Sequence, residues 1–198
     1  KNEDKYFGIA GVMGGLDTEI TDNTKNVIIE AAIFDGVKVR KTSKEILRSE
    51  ASSRFEKGLD PNRTYMAMER ACKLLEEYTG GEVVGGTAKY DNANLANREI
   101  EISFKKINDV LGMQIAKKDV LNVFRRLAFD VIINGKKSDF TETEKDLEKV
   151  EKIVVSVPRR RGDISIKEDL IEEVGRIYGV DNIVGKLPEM PMKAGNYD

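Results

Sequence analysis

The 198 residues contain no histidine and a single cysteine, Cys72. A lone thiol cannot close an internal disulfide or build a multi-cysteine zinc cluster. Without imidazole, a Ser-His-Asp triad, a Cys-His pair, imidazole general-base catalysis and most zinc hydrolase chemistry are excluded. Also missing is any run of about 18 apolar residues of the kind that spans a bilayer. The opening Lys1-Asn2-Glu3-Asp4-Lys5 is charged where a signal peptide turns apolar. The expectation is a cytoplasmic protein with no membrane partner. The 33 basic and 35 acidic residues nearly cancel, so the body as a whole is not an electrostatic nucleic-acid binder. Remaining chemistry must use carboxylates, backbone amides, hydroxyls or bound water.

What is present suffices for one large domain or two small ones, with hydrophobic residues at 40% and charged residues at 34%. The chain does not begin with Met and opens directly into Tyr6-Phe7-Gly8-Ile9-Ala10, so it is expected to be a piece of a longer protein. Tyr6 to Gly15 mixes apolar residues with Gly8, Gly11, Gly14 and Gly15 and reads as strand, close approach and turn. Asn26-Val27-Ile28-Ile29-Glu30-Ala31-Ala32-Ile33-Phe34 is β-branched and nearly continuous, the pattern of a strand buried on both faces at the centre of a sheet. Residues 37–58 are basic and polar, a long loop or a pair of short helices. Asp60 as N-cap and Pro61 at the first helical position open a helix whose Ala67, Ala71, Leu74, Leu75 and Tyr78 share a face before Gly80-Gly81.

Residues 82–97 are rich in glycine and asparagine, and the domain boundary is placed there. A second module starts near Arg98 with a strand at Ile100-Glu101-Ile102, a short helix ending near Gly112 and a helix over Lys118–Arg126. Phe129–Ile133 and Ile153–Val157 read as paired strands, joined by a charged and mobile connection from Asn134 to Lys152. A last helix opens at Ser165, with Glu168 three residues on as its capping-box partner, and runs to about Tyr178.

Several clusters have chemical potential. The glycines between Gly8 and Gly15 lack the Lys-Ser/Thr of a phosphate loop and the spacing of a dinucleotide fingerprint, leaving tight packing or ligand approach as their uses. Strand alternation puts Glu30 on the face of Ile28, Ala32 and Phe34. A carboxylate there needs a partner or a cavity, unless it sits at an exposed sheet rim. In the last helix Asp169, Glu172 and Glu173 form an arc beside the apolar stripe of Ile166, Leu170, Val174, Ile177 and Tyr178, with Asp163 just upstream. Hard oxygen donors so placed suit Mg²⁺; the alternative is a solvated acidic face with Arg176 pairing to Glu172 or Glu173. Arg159-Arg160-Arg161 fits either RNA phosphate or a basic turn balancing nearby acids.

In order and over nearly the whole length, the chain resembles the bacterial-type phenylalanyl-tRNA synthetase β-chain family. The strings that carry the resemblance begin with Gly11-Val12-Met13-Gly14-Gly15, the run Asn26 to Phe34, and Ser49-Glu50-Ala51-Ser52-Ser53-Arg54-Phe55-Glu56-Lys57-Gly58-Leu59-Asp60-Pro61. They continue with Arg161-Gly162-Asp163-Ile164, Glu168-Asp169-Leu170-Ile171-Glu172-Glu173-Val174 and Ile177-Tyr178-Gly179. The resemblance implies an α+β fold: a truncated mixed α/β editing domain followed by a small winged-helix-like α+β domain. Residues 1–90 would be the C-terminal part of the editing domain and 91–97 a linker. Residues 98–185 would be the winged-helix-like domain and 186–198 a linker to the next domain.

The family's editing domain hydrolyses tyrosine wrongly attached to tRNA(Phe). A hydrophobic pocket rejects an isostere bearing one added hydroxyl by only about 10²-fold, whereas a polar site can select that hydroxyl. The resemblance implies an editing pocket of Gly11, Gly14, Glu30, Ser49 and Ala51, with Glu30 accepting the tyrosine hydroxyl proton and Ser49 standing where the family often has Thr. No side chain here is expected to be catalytic; a positioned water attacks the ester, aided by backbone donors. The family's pocket also uses upstream residues, including a histidine, so the isolated chain is expected to edit poorly. Asp163, Asp169, Glu172 and Glu173 match carboxylates of a Mg²⁺ site shared with the α subunit. The implied partners are tRNA(Phe) and the α subunit, in a heterotetramer of two α and two β chains. ATP is used by the complete enzyme and is not bound by this chain.

Overall fold

The structure is a computed structural model that describes residues 5–183 and 185. The expected linker over 186–198 lies outside the described residues. The chain is α+β and divides into two compact units: residues through Asn97 together with Pro158–Gly162, and Arg98–Val157 together with Asp163 onward.

The first unit begins with a two-stranded antiparallel ribbon, β1 (Gly8–Ile9) and β2 (Met13–Gly14), paired Gly8 to Gly14 and Ile9 to Met13. The three-residue loop between them closes with Val12 N–H donating to the Ile9 carbonyl at 2.9 Å, and Gly11 sits at φ +71°. A left-handed residue in a three-residue hairpin loop is most readily glycine. Helix α1 (Gly36–Glu45) starts at Asp35, whose carboxylate accepts from the N–H groups of Val37 and Lys38. Helix α2 (Glu50–Phe55) starts at Ser49, which exchanges hydrogen bonds with Ser52 as a capping box. Thus the basic segment resolves into a helix pair. Helix α3 (Arg63–Thr79) ends at the left-handed Gly80 as expected, but begins two residues after Pro61. There Asp60 accepts from Asn62 N–H in a local turn that precedes the helix instead of capping it.

The central-strand expectation for Asn26–Phe34 is not met. This segment is extended but pairs with no strand among the described residues, and Ile28 is 97% exposed. β-branched composition favours an extended backbone, but a strand forms only where a neighbour accepts its hydrogen bonds. The apolar stripe of α3 is likewise left open: no residue of this helix is buried, and Tyr78 is 77% exposed.

The second unit is built around a four-stranded antiparallel sheet. Its elements run β3 (Arg98–Ser103), α4 (Phe104–Leu111), α5 (Lys117–Arg126), β4 (Asp130–Ile133), β5 (Lys136–Lys137), α6 (Glu144–Leu147), β6 (Lys152–Val157) and α7 (Lys167–Tyr178). The spatial order is β3-β6-β4-β5, with Ile100 opposite Val155, Ile102 opposite Ile153, and Val131 also opposite Val155. Alternate residues point inward, so Ile100, Ile102, Ile153, Val155 and Val157 are buried while Glu99, Glu101 and Lys152 face water. Phe104 and Ile107 of α4, Val120, Leu121, Val123 and Phe124 of α5, and Leu170, Ile171 and Val174 of α7 complete one contiguous core.

The connection from Asn134 to Lys152, expected to be mobile, is tied down. Asn134 and Gly135 both have positive φ and join β4 to β5 in a two-residue turn, with Ile133 opposite Lys136. Beyond it Thr143 and Asp146 cap α6 reciprocally, and Leu147 is fully buried. The Lys117 ammonium donates to three carbonyls at once: Leu147 at 2.8 Å, Glu148 at 3.0 Å and Val150 at 2.8 Å. It also lies 5.6 Å from the Phe104 ring centroid. High charge thus marks a folded surface connection whose anchor comes from 30 residues upstream.

Candidate functional site

The glycine ribbon meets the start of α2 in the first unit. Ser49 Oγ donates to the Val12 carbonyl at 2.6 Å and accepts from Ser52 N–H at 3.1 Å. Val12, Val39, Ser43 and Ser52 are buried in this corner, and Phe34 meets Phe55 edge to face at 5.0 Å. The two predicted pocket glycines have different roles. A Cβ on Gly11 would lie 2.8 Å from Val39 Cγ2 and 3.0 Å from Phe34 Cδ2, so its missing side chain is a packing requirement. A Cβ on Gly14 would meet nothing within 4 Å, leaving backbone beside open space.

Of the five predicted pocket residues, Gly11, Gly14 and Ser49 belong to this corner, and Ala51 is exposed on the first turn of α2. Glu30 is exposed and makes no hydrogen bond or ion pair among the described residues. Its expected setting, a carboxylate on an apolar strand face, is absent because the strand is. Ser49 bonding to the Val12 carbonyl joins residues 37 apart, and no sequence spacing signalled it.

The second cluster is at the start of α7. Asp169, rather than Glu168, closes this helix: its carboxylate accepts from Ser165 N–H at 2.7 Å and Ile166 N–H at 3.0 Å. The helix begins two residues later than Ser165, which moves the position three residues into it onto Asp169. The bonds from the backbone of Ser165 and then Ile166 hold the Asp169 carboxyl below its ordinary pKa, while the nearby charge of Asp163 works against them. Glu173 is buried at 7% exposure and paired with Arg176 through bonds of 2.6 and 3.3 Å. Glu172 is exposed.

Asp163 and Asp169 are therefore brought near each other, Glu172 faces water and Glu173 answers a guanidinium. Among the described residues, no group of three or more His, Cys, Asp or Glu side chains is arranged to hold a metal ion. In the arginine run, Pro158 accepts from Arg161 N–H at 2.9 Å, and Arg160 and Arg161 both make further contacts. Arg159 Nε is buried without a hydrogen-bond partner among the described residues.

Comparison with known proteins gives two successive matches along the chain. The B3/4 domain family matches residues 1–80, and the tRNA synthetase B5 domain family matches residues 100–180. The phenylalanine–tRNA ligase β subunit of Bacillus subtilis is 46% identical over 189 residues, covering 95% of this chain and 22% of the relative. The chain belongs to the phenylalanine–tRNA ligase β-subunit family. The β subunit of Bacillus licheniformis is 47% identical over 188 residues, and that of Staphylococcus saprophyticus 44% over 188, each with 94% of this chain and 22% of the relative covered. The chain thus spans about a fifth of the length of these relatives, 22%.

Within this β-subunit segment, the B5 match takes in β3 to α7 almost entirely, while the B3/4 match takes in the ribbon, α1, α2 and α3. No helix among the described residues is long and apolar enough to cross a membrane. Two anchoring features escaped the sequence reading. The Asn134-Gly135 turn carries a recognisable dipeptide signal for a tight hairpin. Lys117 does not, because a lysine at a helix start gives no hint of three carbonyls contributed by a later segment.

Proposed function

We propose that this chain works as part of phenylalanine–tRNA ligase in protein biosynthesis, where its first unit forms part of a pocket that hydrolyses tyrosine wrongly attached to tRNA(Phe). Gly14 carries the reading: its backbone borders open space two residues beyond Val12, whose carbonyl is bound by Ser49 at the start of α2, and an aminoacyl ester can approach main-chain donors there. On this reading Glu30 accepts the tyrosine hydroxyl, and Gly11, Ser49 and Ala51 shape the wall. A water molecule attacks the ester carbonyl, and backbone N–H groups stabilise the charge that develops on its oxygen. Histidine is absent, so no imidazole base in this chain takes part.

The second unit is assigned to tRNA contact and to assembly with the α subunit, with the complete enzyme acting in the cytoplasm. The proposed Mg²⁺ site is a shared one, to which Asp163, Asp169 and Glu172 present carboxylates from this side. Glu173 joins only by releasing Arg176, so this chain's residues do not fit a closed cage and no step is routed through the metal. Mn²⁺ in the assembled enzyme should show contact with Asp163 and Asp169; no such contact at saturating metal removes the site. ATP binding and phenylalanine activation are assigned to the α subunit.

A second reading, a non-catalytic structural and RNA-contacting scaffold, is favoured by the solvated Glu30 and the Glu173–Arg176 pair. The two separate in one experiment: deacylation of tyrosyl-tRNA(Phe) by the complete α and β enzyme, wild type against Glu30→Ala, with phenylalanylation measured alongside. Lost deacylation with intact charging supports the pocket. Unchanged deacylation supports the scaffold. The isolated 198-residue chain is expected to deacylate poorly in either case.

A further inference from the structure

The hydroxyl of Ser49 has one proton to donate and two lone pairs with which to accept. Its donor is committed to the Val12 carbonyl at 2.6 Å, and it accepts from Ser52 N–H at 3.1 Å. The Ser49 main chain is held as firmly. Its N–H donates to Ser52 Oγ at 2.9 Å, and its carbonyl accepts from Ser52 Oγ at 2.9 Å and Ser53 Oγ at 3.0 Å. Val12 and Ser52, at the two ends of this chain of bonds, are buried. A donor so engaged is not free for a substrate, yet its acceptor is the main chain between Gly11 and Gly14.

We propose that Ser49 is a positioning residue for the hydrolytic pocket: its hydroxyl latches the glycine ribbon to the N-terminus of α2 and so sets the distance between the Gly14 backbone and Ala51. The inference rests on the editing reading above. Its content is that Ser49 acts through Val12 and does not touch the tyrosine side chain. Three consequences follow from that geometry. Loss of the hydroxyl slows hydrolysis of every ester in the pocket by the same factor, because the wall moves whatever the substrate ring carries. The loss falls on kcat, since small displacements from reacting geometry cost rate on the order of 10- to 100-fold. A side chain that keeps the hydroxyl restores the rate.

The test uses the complete α and β enzyme with Ser49→Ala, Ser49→Thr, Ser49→Cys and Glu30→Ala. Hydrolysis of tyrosyl- and phenylalanyl-tRNA(Phe) is followed at saturation and below it, and phenylalanylation by each preparation reports that the enzyme is assembled. The expected result is an equal drop in kcat for both esters with Ser49→Ala, roughly 10-fold or more, little change in KM, near-complete recovery with Ser49→Thr and an intermediate rate with the weaker donor of Ser49→Cys. A drop confined to the tyrosyl ester means the hydroxyl touches the substrate and overturns the inference. An unchanged Ser49→Ala beside an inactive Glu30→Ala overturns it while the editing reading stands. If neither variant loses hydrolysis, the editing reading falls and the inference with it.

Discussion

Residues 5–97 and 98–183 are similar in length and both rich in helix, but they hold their structure by different means. Among the described residues, the second stretch buries 20 apolar side chains in one cluster, whereas Val12 and Val39 are the buried apolar residues of the first. In the first stretch order is local: Asp35 caps α1, Ser49 and Ser52 cap α2, Gly80 ends α3, and a small corner joins ribbon to helix. In the second, α4, α5 and α7 each have an inward stripe that meets the sheet. Caps select where a helix starts, at about 1 kcal/mol each, but only buried area holds helices against each other.

The sharpest way to break this contrast is to truncate a core side chain in one stretch and an apolar side chain in the other. Phe124→Ala is expected to cost about 3–5 kcal/mol in urea unfolding, since its ring is fully buried against Phe129. Ile28→Ala and Tyr78→Ala, at 97% and 77% exposure, should stay within about 0.5 kcal/mol. Equal costs would mean that the first stretch has a core of its own.

A smaller effect is expected from Lys117→Met, which keeps much of the stem but removes the ammonium bound by three carbonyls. Charge-assisted hydrogen bonds of this kind put the loss at about 1.5–3 kcal/mol. Amide exchange should rise through residues 138–150 and stay slow in β3 and β6. If β6 exchanges as fast as the connection, Lys117 supports the whole unit and not one edge of it.

Gly11→Ala should cost about 1–2 kcal/mol from its left-handed backbone alone, with the contacts to Val39 and Phe34 adding to this. Faster exchange in the ribbon checks it. Gly14→Ala has no such clash and should leave the fold alone while lowering editing by the complete enzyme.

The smallest effect is with pH. A side-chain bond from Thr141 holds the Asp139 carboxyl below its ordinary pKa, and a side-chain bond from Thr143 does the same for Asp146. A lowered folded pKa gives stability that is present above the unfolded value near 3.9 and lost as pH falls through the folded value. Between pH 6 and 3 the connection carrying these turns should therefore become easier to cleave by an acid-tolerant protease, before β3 and β6 unfold. A connection equally resistant at both pH values would show that the turns contribute nothing.

The same contrast explains what the sequence made legible. Apart from Asn134–Lys152, whose β5 and α6 were taken for a mobile connection, Arg98 to Tyr178 was readable element by element, because each segment states its inward face through its own period and that face finds a partner within the unit. The errors there were small and local, such as Asp169 taking the capping role given to Glu168 when the helix start moved. Asn26–Phe34 misled for a different reason: its residues specify extension, but the ladder that turns extension into a strand belongs to a neighbour that residue pattern cannot supply. The pocket residues divide likewise. Gly11 and Gly14 come together through a local hairpin and Ser49 caps its own helix, but the bond that joins the two spans 37 residues, and Glu30 depends on a sheet that is absent among the described residues. The acidic arc on α7 was visible as a pattern, and so was the alternative of a solvated face with Arg176 pairing to Glu173; the capping role of Asp169 was not.

The strand order of the second unit also governs its timing. β6 lies between β3 and β4, and neither of those two pairs with the other. On the ribosome, β3 is complete at Ser103 but its first partner begins at Lys152, a wait of roughly 50 residues or several seconds at ordinary synthesis rates. Until then the inward faces of β3, α4, α5 and β4 have no closed core to enter. The arrival of one six-residue strand supplies both neighbours at once, so the unit should assemble in a single late step instead of growing from its N-terminus.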